Sequence, residues 1–214
     1  MLKLKAVRSS GLSRRTLGLT AAAAALTLPL SACGGSAGVT PAQGDMALGA
    51  AEGAKVTVVE YASVTCGHCA AWQAEVWPRF KAKYVDTNKV RYVFREFPTA
   101  PQAVAVAGFL IARCAGERQY FDVIDDVMAS QAEWQAGTPP SQSLQRIATS
   151  AGLNDQQFEA CLSDREAIAA MDQRIKAGLD AGVTGTPTFF VNGEKLADSS
   201  LEALSAAIDP LLEG

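Results

Sequence analysis

The chain contains few of the side chains from which metal centres are built. Its 214 residues include one histidine, His68, and a single Cys-x-x-Cys pair, Cys66 and Cys69. A structural zinc site takes four ligands, and these three side chains cannot all bind one ion from within a single helical turn. We therefore expect no metal and no other cofactor.

Runs of basic residues are missing from most of the chain. The sequence has 19 Lys and Arg against 22 Asp and Glu, and five of the basic residues fall in the first 32 positions, which contain no acid. The remaining 182 residues therefore carry 14 basic and 22 acidic side chains, a net charge of −8. Because phosphate binding requires clustered Lys and Arg, we exclude nucleic acid as a partner.

A long apolar run is also missing. The apolar stretch from 17 to about 30 is short for a membrane-spanning helix, and it lies between a basic segment and small residues, as in a secretory signal peptide. Its end, Leu30-Ser31-Ala32-Cys33, resembles the bacterial lipobox, whose cysteine is lipidated. We predict a lipoprotein signal over 1–32 and a membrane anchor at Cys33. The alternatives are a retained anchor helix or ordinary cleavage after Ala37.

Residues 33–44 are small and polar, which predicts a flexible tether. The residues that follow predict a strand on each side of the cysteine pair. The β-branched run 55–61 predicts a buried strand, and a helix should begin at the cysteine pair and be interrupted at Pro78. A second apolar run, 90–97, predicts another strand. The Cys-x-x-Cys pair therefore opens a helix between two strands.

The apolar period becomes helical from about 101 to 179. Cys114 lies on the apolar face of one predicted helix. Asn154, with Gln157 three residues later, has the pattern of a capping box at the start of another helix. A long last helix is expected to bury four residues, namely Ile168, Met171, Ile175 and Leu179. We interpret this block as an all-helical insertion.

Strand signals return near the C-terminus. Residues 188–191 predict a strand, Asn192-Gly193 predicts a tight hairpin turn, and 194–196 should pair back. Ser199 with Glu202 forms a second capping-box pattern. The helix that follows should bury Leu201, Leu204, Ile208 and Leu211.

Cys66 would lie at the N-terminus of its helix. There the unpaired N–H groups and the helix dipole favour a thiolate, which is both the nucleophile and the better leaving group in thiol–disulfide exchange. A partly charged His68 imidazole would stabilise this thiolate further. The alternative is that His68 is an incidental surface residue.

These motifs occur together in a known order. Residues 58–61, the Cys66-Gly67-His68-Cys69 motif, the helical block and residues 183–188 resemble the DsbA-like branch of the thioredoxin superfamily from about 45 to the C-terminus. The resemblance implies an α/β thioredoxin fold. It would be formed by residues 45–100 and 180–214, with the helical domain inserted at 101–179.

The resemblance also implies a role for each site residue. Cys66 would be the attacking sulfur and Cys69 the buried resolving one. Pro187 would be a cis-proline facing them, leaving the Thr186 backbone free to pair with a substrate peptide. Glu60 would be a buried acid that moves the Cys69 proton, the alternative being a surface carboxylate at a strand end.

The two remaining cysteines would be structural. Relatives with a cysteine pair at these places use it as a structural bridge. The resemblance therefore implies a disulfide between Cys114 and Cys161, which would stabilise the fold by roughly 4 kcal/mol. The alternative is two free buried thiols.

The function implied is that of a monomeric dithiol oxidase in the bacterial cell envelope. It would donate the Cys66–Cys69 disulfide to reduced exported proteins and be reoxidised by a quinone-linked membrane partner of the DsbB type. The alternatives are a disulfide isomerase or reductase on the same fold, and a non-catalytic surface lipoprotein that only binds.

Overall fold

A five-stranded sheet forms the centre of the computed structural model, which describes residues 42–214. Its order is β1-β3-β2-β4-β5, with β2 and β3 parallel and the other neighbours antiparallel. The predicted signal peptide 1–32, Cys33 and most of the tether lie outside the described residues. The strands are β1 (Met46–Gly49), β2 (Thr57–Ala62), β3 (Arg91–Glu96), β4 (Thr188–Val191) and β5 (Glu194–Lys195).

Helices fill the connections of this sheet. Between β2 and β3 lie α1 (Gly67–Glu75), α2 (Trp77–Phe80) and a π-helical turn (Lys81–Val85). Between β3 and β4 lie α3 (Gln102–Cys114), α4 (Glu117–Ala129), α5 (Gln131–Gln135), α6 (Pro140–Ser150), α7 (Asp155–Leu162) and α8 (Arg165–Asp180), and α9 (Leu201–Glu213) follows the β4–β5 hairpin. This element order confirms the predicted thioredoxin fold with a helical insertion. None of the helices within residues 42–214 is long and apolar enough to cross a membrane.

The central strands are buried on both faces, which explains why apolar residues occupy successive positions such as Val58 and Val59 on β2. On β2, Val58 and Ala62 pack into the larger core beneath α1, whereas Val59 and Tyr61 pack into a smaller core on the other face. Glu60 alternates with Val59 and Tyr61 and therefore points to the α1 side. The strand period thus places a carboxyl group under the helix that carries the cysteines.

Buried ion pairs attach the helical insertion to the sheet. The fully buried carboxylate of Glu96, the last residue of β3, accepts hydrogen bonds from Arg113 on α3 at 2.5 Å and from Arg174 on α8 at 2.9 Å. The Tyr120 hydroxyl of α4 donates to the same carboxylate at 2.9 Å. These contacts hold the pKa of Glu96 below its usual value against the opposing effect of burial.

Several local predictions are confirmed. Helix α1 ends at Glu75, and Pro78 occupies the first turn of α2, where its missing N–H costs nothing. Asn154 and Gln157 make both hydrogen bonds of a capping box, each 2.9 Å long. The hairpin turn has the left-handed backbone that its residues favour, since Asn192 has φ +47° and the next residue, a glycine, has φ +88°.

Three details were wrong or missed. Helix α9 begins at Leu201 and is capped by Ser200, whose hydroxyl accepts from the Ala203 N–H at 3.2 Å, so the predicted cap at Ser199 was one residue too early. Leu211 is 37% exposed because it lies beyond Ile208, the last residue of α9 that is buried. Strand β1 was not predicted at all.

The buried face of α8 also differs from its prediction. Leu179 is 57% exposed, whereas its neighbour Gly178 is buried against Tyr61. A Cβ at position 178 would lie 2.9 Å from that ring, so only glycine permits the close approach. The packed face therefore continues from Met171 to Gly178, and a glycine carries no apolar signal.

Candidate active site

The turn between β2 and α1 positions the first cysteine. The Ser63 hydroxyl accepts from the N–H of Thr99 at 3.0 Å and hydrogen-bonds the Thr65 hydroxyl at 3.0 Å. Short polar side chains of this kind hold the backbone in a turn. Cys66 follows as the N-cap of α1, and its sulfur accepts from the Cys69 N–H at 3.3 Å.

This environment favours a thiolate at Cys66, which is half-buried. A hydrogen bond from the Cys69 side chain is the largest cause that lowers the pKa of Cys66 to about 5. Burial opposes the shift, and further hydrogen bonds from the Thr186 side chain and from the backbone of Cys69 and His68 add to it. Cys66 is therefore ionised at neutral pH and is the sulfur equipped to attack.

The second cysteine has the opposite character. Cys69 is fully buried, and burial is the largest cause that raises its pKa, with the hydrogen bond to Cys66 next. Both residues are free thiols in this structure. One sulfur is thus a ready nucleophile, while the other needs a proton acceptor before it can react.

A buried carboxyl group lies beneath the pair. Glu60 is 1% exposed and accepts a hydrogen bond from the Tyr92 hydroxyl. Burial raises the pKa of Glu60 to about 8, the Tyr92 bond opposes this, and nearby charge on Asp125 and Cys66 adds to it. Glu60 therefore holds a proton at neutral pH, and its negative charge, when it ionises, raises the pKa of Cys69.

The segment before β4 faces the exposed sulfur. Tyr61 pairs with Thr188, which brings the preceding residues across from the end of β2. The Thr186–Pro187 peptide bond is cis, and the Thr186 carbonyl oxygen lies 3.3 Å from Cys66 Sγ, where it can accept from the sulfur when Cys66 is protonated. The structure thus brings Cys66, Cys69, Thr186 and Pro187 together above Glu60.

His68 lies apart from this cluster. Its side chain is exposed, and its contribution to the Cys66 pKa comes from its backbone N–H. The predicted role of the imidazole stays a prediction. Within residues 42–214, no three His, Cys, Asp or Glu side chains converge as the ligands of a metal ion would.

The other cysteine pair lies in the helical insertion. Cys114, at the end of α3, and Cys161, on α7, are joined by a disulfide with a Cα–Cα distance of 6.2 Å. The bridge closes a loop of 47 residues and joins α3 to α7 within the insertion.

Two neighbours of the motif were not predicted. The Gln131 amide on α5 donates to the carbonyls of Val64 at 2.9 Å and Cys66 at 3.2 Å. Tyr92 on β3 reaches Glu60 because the parallel register pairs it with Val58, two residues before Glu60 on the same face. Strand alternation could have placed Tyr92 on one face, but only the register places it beside Glu60.

Comparisons with known proteins agree with this geometry. A sequence model of the family described as Thioredoxin matches residues 41–210. A "Putative protein-disulfide oxidoreductase" of Rickettsia bellii is 35% identical over 173 residues, which are 80% of this chain and 66% of the relative. A similar protein of Rickettsia conorii is 34% identical over 171 residues, 79% of this chain and 61% of the relative.

Solved structures point the same way. The crystal structure of Wolbachia pipientis alpha-DsbA1 superposes with a TM-score of 0.72 at 28% identity, covering 81% of this chain and 93% of that one. The chain spans slightly less than two thirds of the length of these two Rickettsia relatives. On its family match, its relatives and its fold, the chain belongs to the DsbA-like branch of the thioredoxin superfamily.

Proposed function

We propose that this protein is a thiol–disulfide oxidoreductase that acts as a dithiol oxidase on reduced exported proteins. The observation that carries the proposal is the difference in pKa between Cys66 and Cys69. Cys66 is ionised at neutral pH, while Cys69 and Glu60 beneath it hold protons. A stabilised Cys66 thiolate stabilises the reduced enzyme, which makes its disulfide a stronger oxidant.

The reaction begins with the oxidised enzyme. A substrate thiolate attacks the Cys66 sulfur, the Cys66–Cys69 bond breaks, and Cys69 leaves with the electron pair and takes a proton from Glu60. The substrate's second thiolate then attacks the mixed disulfide and releases Cys66 as a thiolate. The substrate loses two electrons and gains a disulfide, and the enzyme becomes the dithiol.

Binding and location complete the proposal. The backbone at Thr186 would pair with the substrate peptide beside Pro187, and exposed His68 would lie at the rim of the contact. A quinone-linked membrane protein of the DsbB type would reoxidise the enzyme. We propose a monomer held in the bacterial cell envelope by lipid on Cys33, so that Cys33→Ser should release the protein from the membrane fraction.

The reduction potential tests the direction of electron flow. Against glutathione, the Cys66–Cys69 pair should equilibrate near the DsbA value of about −120 mV, well above the thioredoxin value of about −270 mV. Refolding of a reduced, disulfide-containing protein should be faster than insulin reduction, and Cys66→Ser should abolish both. A reduction potential near that of thioredoxin would favour a reductase. No exchange in either assay would favour a non-catalytic lipoprotein that only binds.

A further inference from the structure

A groove separates the helix that carries the cysteines from the helical insertion. It has a volume of about 510 Å³ and lies between α1 and α2 on one side and α4 and α5 on the other. Gly67, the residue after Cys66, borders the groove, and the buried side chains of Trp77 and Met128 line its inner surface. The groove is therefore apolar inside and adjoins the attacking cysteine. The proposed exchange assigns it no role.

Gln131 presents a hydrogen-bond acceptor at this groove. It lines the groove, is only 9% exposed, and uses its amide N–H groups on the carbonyls of Val64 and Cys66. A Cβ built on Gly67 would lie 4.0 Å from Gln131 Oε1, so this oxygen faces the border of the groove. Within residues 42–214 no N–H or O–H group donates to it. Gln131 thus holds a fixed acceptor ready for a donor that enters the groove.

Asp125, on α4, supplies a second acceptor. It is half-buried, and its Oδ1 accepts a hydrogen bond of 2.6 Å from the amide of Gln73 on α1. Its Oδ2 accepts from no group in the part of the chain that the structure describes. Among the described residues that line the groove, Asp125 alone has an ionisable side chain, and Lys81, a cation that acts on it, is paired with Asp86. The charge that lines the groove is therefore negative.

The groove and the proposed peptide contact at Thr186 lie on different sides of Cys66. The Thr186 carbonyl is 3.3 Å from Cys66 Sγ, on the side of β4. On α1, the Trp72 ring packs on Phe189 of β4 with centroids 4.7 Å apart, whereas the next residue, Gln73, meets α4. Successive residues of a helix are about 100° apart around its axis. A peptide whose cysteine is on Cys66 can therefore reach β4 on one side of that cysteine and the groove on the other.

We infer that this groove is a second substrate site, which takes a Lys or Arg side chain close to the reacting cysteine of the substrate. The inference rests on the proposed function and names the kind of substrate that the enzyme prefers. The apolar stem of the basic residue packs against Trp77 and Met128, and its positive head donates to Asp125 and to Gln131 Oε1. An acidic substrate residue at the same place would bring two negative charges together and is disfavoured.

The test uses reduced peptides with two cysteines that differ only in the residues flanking those cysteines, which are Arg, norleucine or Glu. Norleucine keeps an apolar stem without the positive head. The rate at which the oxidised protein oxidises each peptide is measured at about pH 8, above the pKa of about 7 to which burial raises that of Asp125. Each rate is divided by the rate with a small dithiol, which does not extend into the groove, so that a general change at Cys66 cancels.

Two pairs of matched variants show where a preference comes from. Asp125→Asn removes the charge from the groove, and Asp126→Asn removes the same charge from an exposed position of the same helix. Ala129→Leu fills the groove from an exposed position on its border, and Ala169→Leu makes the same change at an exposed position of α8. Leucine is a good helix former, so neither helix should be weakened. Comparing variants also cancels differences in the ionisation of the peptide thiols.

We expect wild type to oxidise the Arg peptide about tenfold faster than the norleucine peptide, as for a hydrogen bond to a charged group. Asp125→Asn should lower this preference about fivefold, and Asp126→Asn should keep it. Ala129→Leu should slow the Arg and norleucine peptides about fivefold relative to the small dithiol, whereas Ala169→Leu should follow wild type. The Glu peptide should be the slowest with wild type.

Three results would overturn the inference while leaving the proposed function intact. The first is an unchanged preference in Asp125→Asn. The second is an equal loss of preference in Asp126→Asn, which would trace it to the overall charge of the protein. The third is that Ala129→Leu behaves as Ala169→Leu does. Failure of the proposed function looks different, because wild type would then leave every peptide reduced, whatever its flanking residues, and the inference would fall with it.

Discussion

The side-chain amide of Gln131 donates to the backbone carbonyl of Cys66 at 3.2 Å, so a residue of the helical insertion holds the redox turn of the sheet domain. The same amide donates to the Val64 carbonyl at 2.9 Å. One buried side chain thus satisfies both acceptors on either side of Thr65. The position of the nucleophile depends on the insertion as well as on β2 and α1.

Gln131→Ala should therefore weaken the turn. The Val64 carbonyl loses the Gln131 donor, and leaving a buried acceptor unpaired costs about 2 kcal/mol in unfolding free energy, whereas the Cys66 carbonyl keeps the Ala70 N–H at 3.0 Å. Urea unfolding measures this change, and exchange at Cys66 should slow in the same variant. Gln135→Ala, at an exposed position on the same short helix, is the control and should match wild type. Equal stability of the two variants would mean that the Gln131 hydrogen bonds do not stabilise the turn.

The low pKa of Cys66 predicts how redox state and stability are linked. The folded thiol has a pKa of about 5, below the value of about 8.5 for an unfolded one. The unfolded chain therefore binds more protons in this window, and the stability of the reduced protein rises with pH between these values. The unfolding free energy of the reduced form minus that of the oxidised form should increase from about pH 5 to 8. A difference that does not change with pH would rule out a stabilised thiolate.

Glu60 predicts the opposite trend. Its folded pKa of about 8 exceeds the unfolded value of about 4.3, so its contribution is lost as pH rises between them. Glu60→Gln removes this loss, and its stability relative to wild type should rise by on the order of 4 kcal/mol from about pH 4.5 to 8. Glu194→Gln, on exposed β5, is the control. A profile for Glu60→Gln that matches the control would mean that the carboxyl group is ionised in the fold.

The Cys114–Cys161 bridge should affect stability alone. Its loop of 47 residues corresponds to about 4 kcal/mol on the chain-entropy account. A Cys114→Ser/Cys161→Ser variant should lose about this much in urea unfolding. Its Cys66–Cys69 reduction potential should equal that of wild type, and a shifted potential would show that the bridge also tunes the active site.

Features set by local chemistry were predictable from the sequence. The runs that became β2, β3 and β4 are apolar because the strands are buried on both faces, and the Asn192-Gly193 turn and the cap at Asn154 depend on neighbouring residues alone. The family resemblance added the distant segment at Thr186. Each of these features needs only a short stretch of sequence to be recognised.

Features that depend on register and packing were not predictable. Tyr92 reaches Glu60 only through the parallel pairing of β2 with β3, and Asp125 meets Gln73 across 52 residues of chain. Gly178 gives no apolar signal, although its missing side chain is what brings α8 against the sheet. Such contacts exist only after the strands have paired and the helical insertion has folded onto the sheet.

The short outer strand of the sheet has a consequence for the proposed action on unfolded chains. Beyond β4 the sheet ends in β5, two exposed residues of opposite charge, Glu194 and Lys195. A long apolar edge would offer its free N–H and C=O groups to any extended peptide and could take up a client as an extra strand. On this side, a substrate of the proposed oxidase would find almost no backbone to join as an extra strand, and its release after disulfide formation would not require a sheet to be broken.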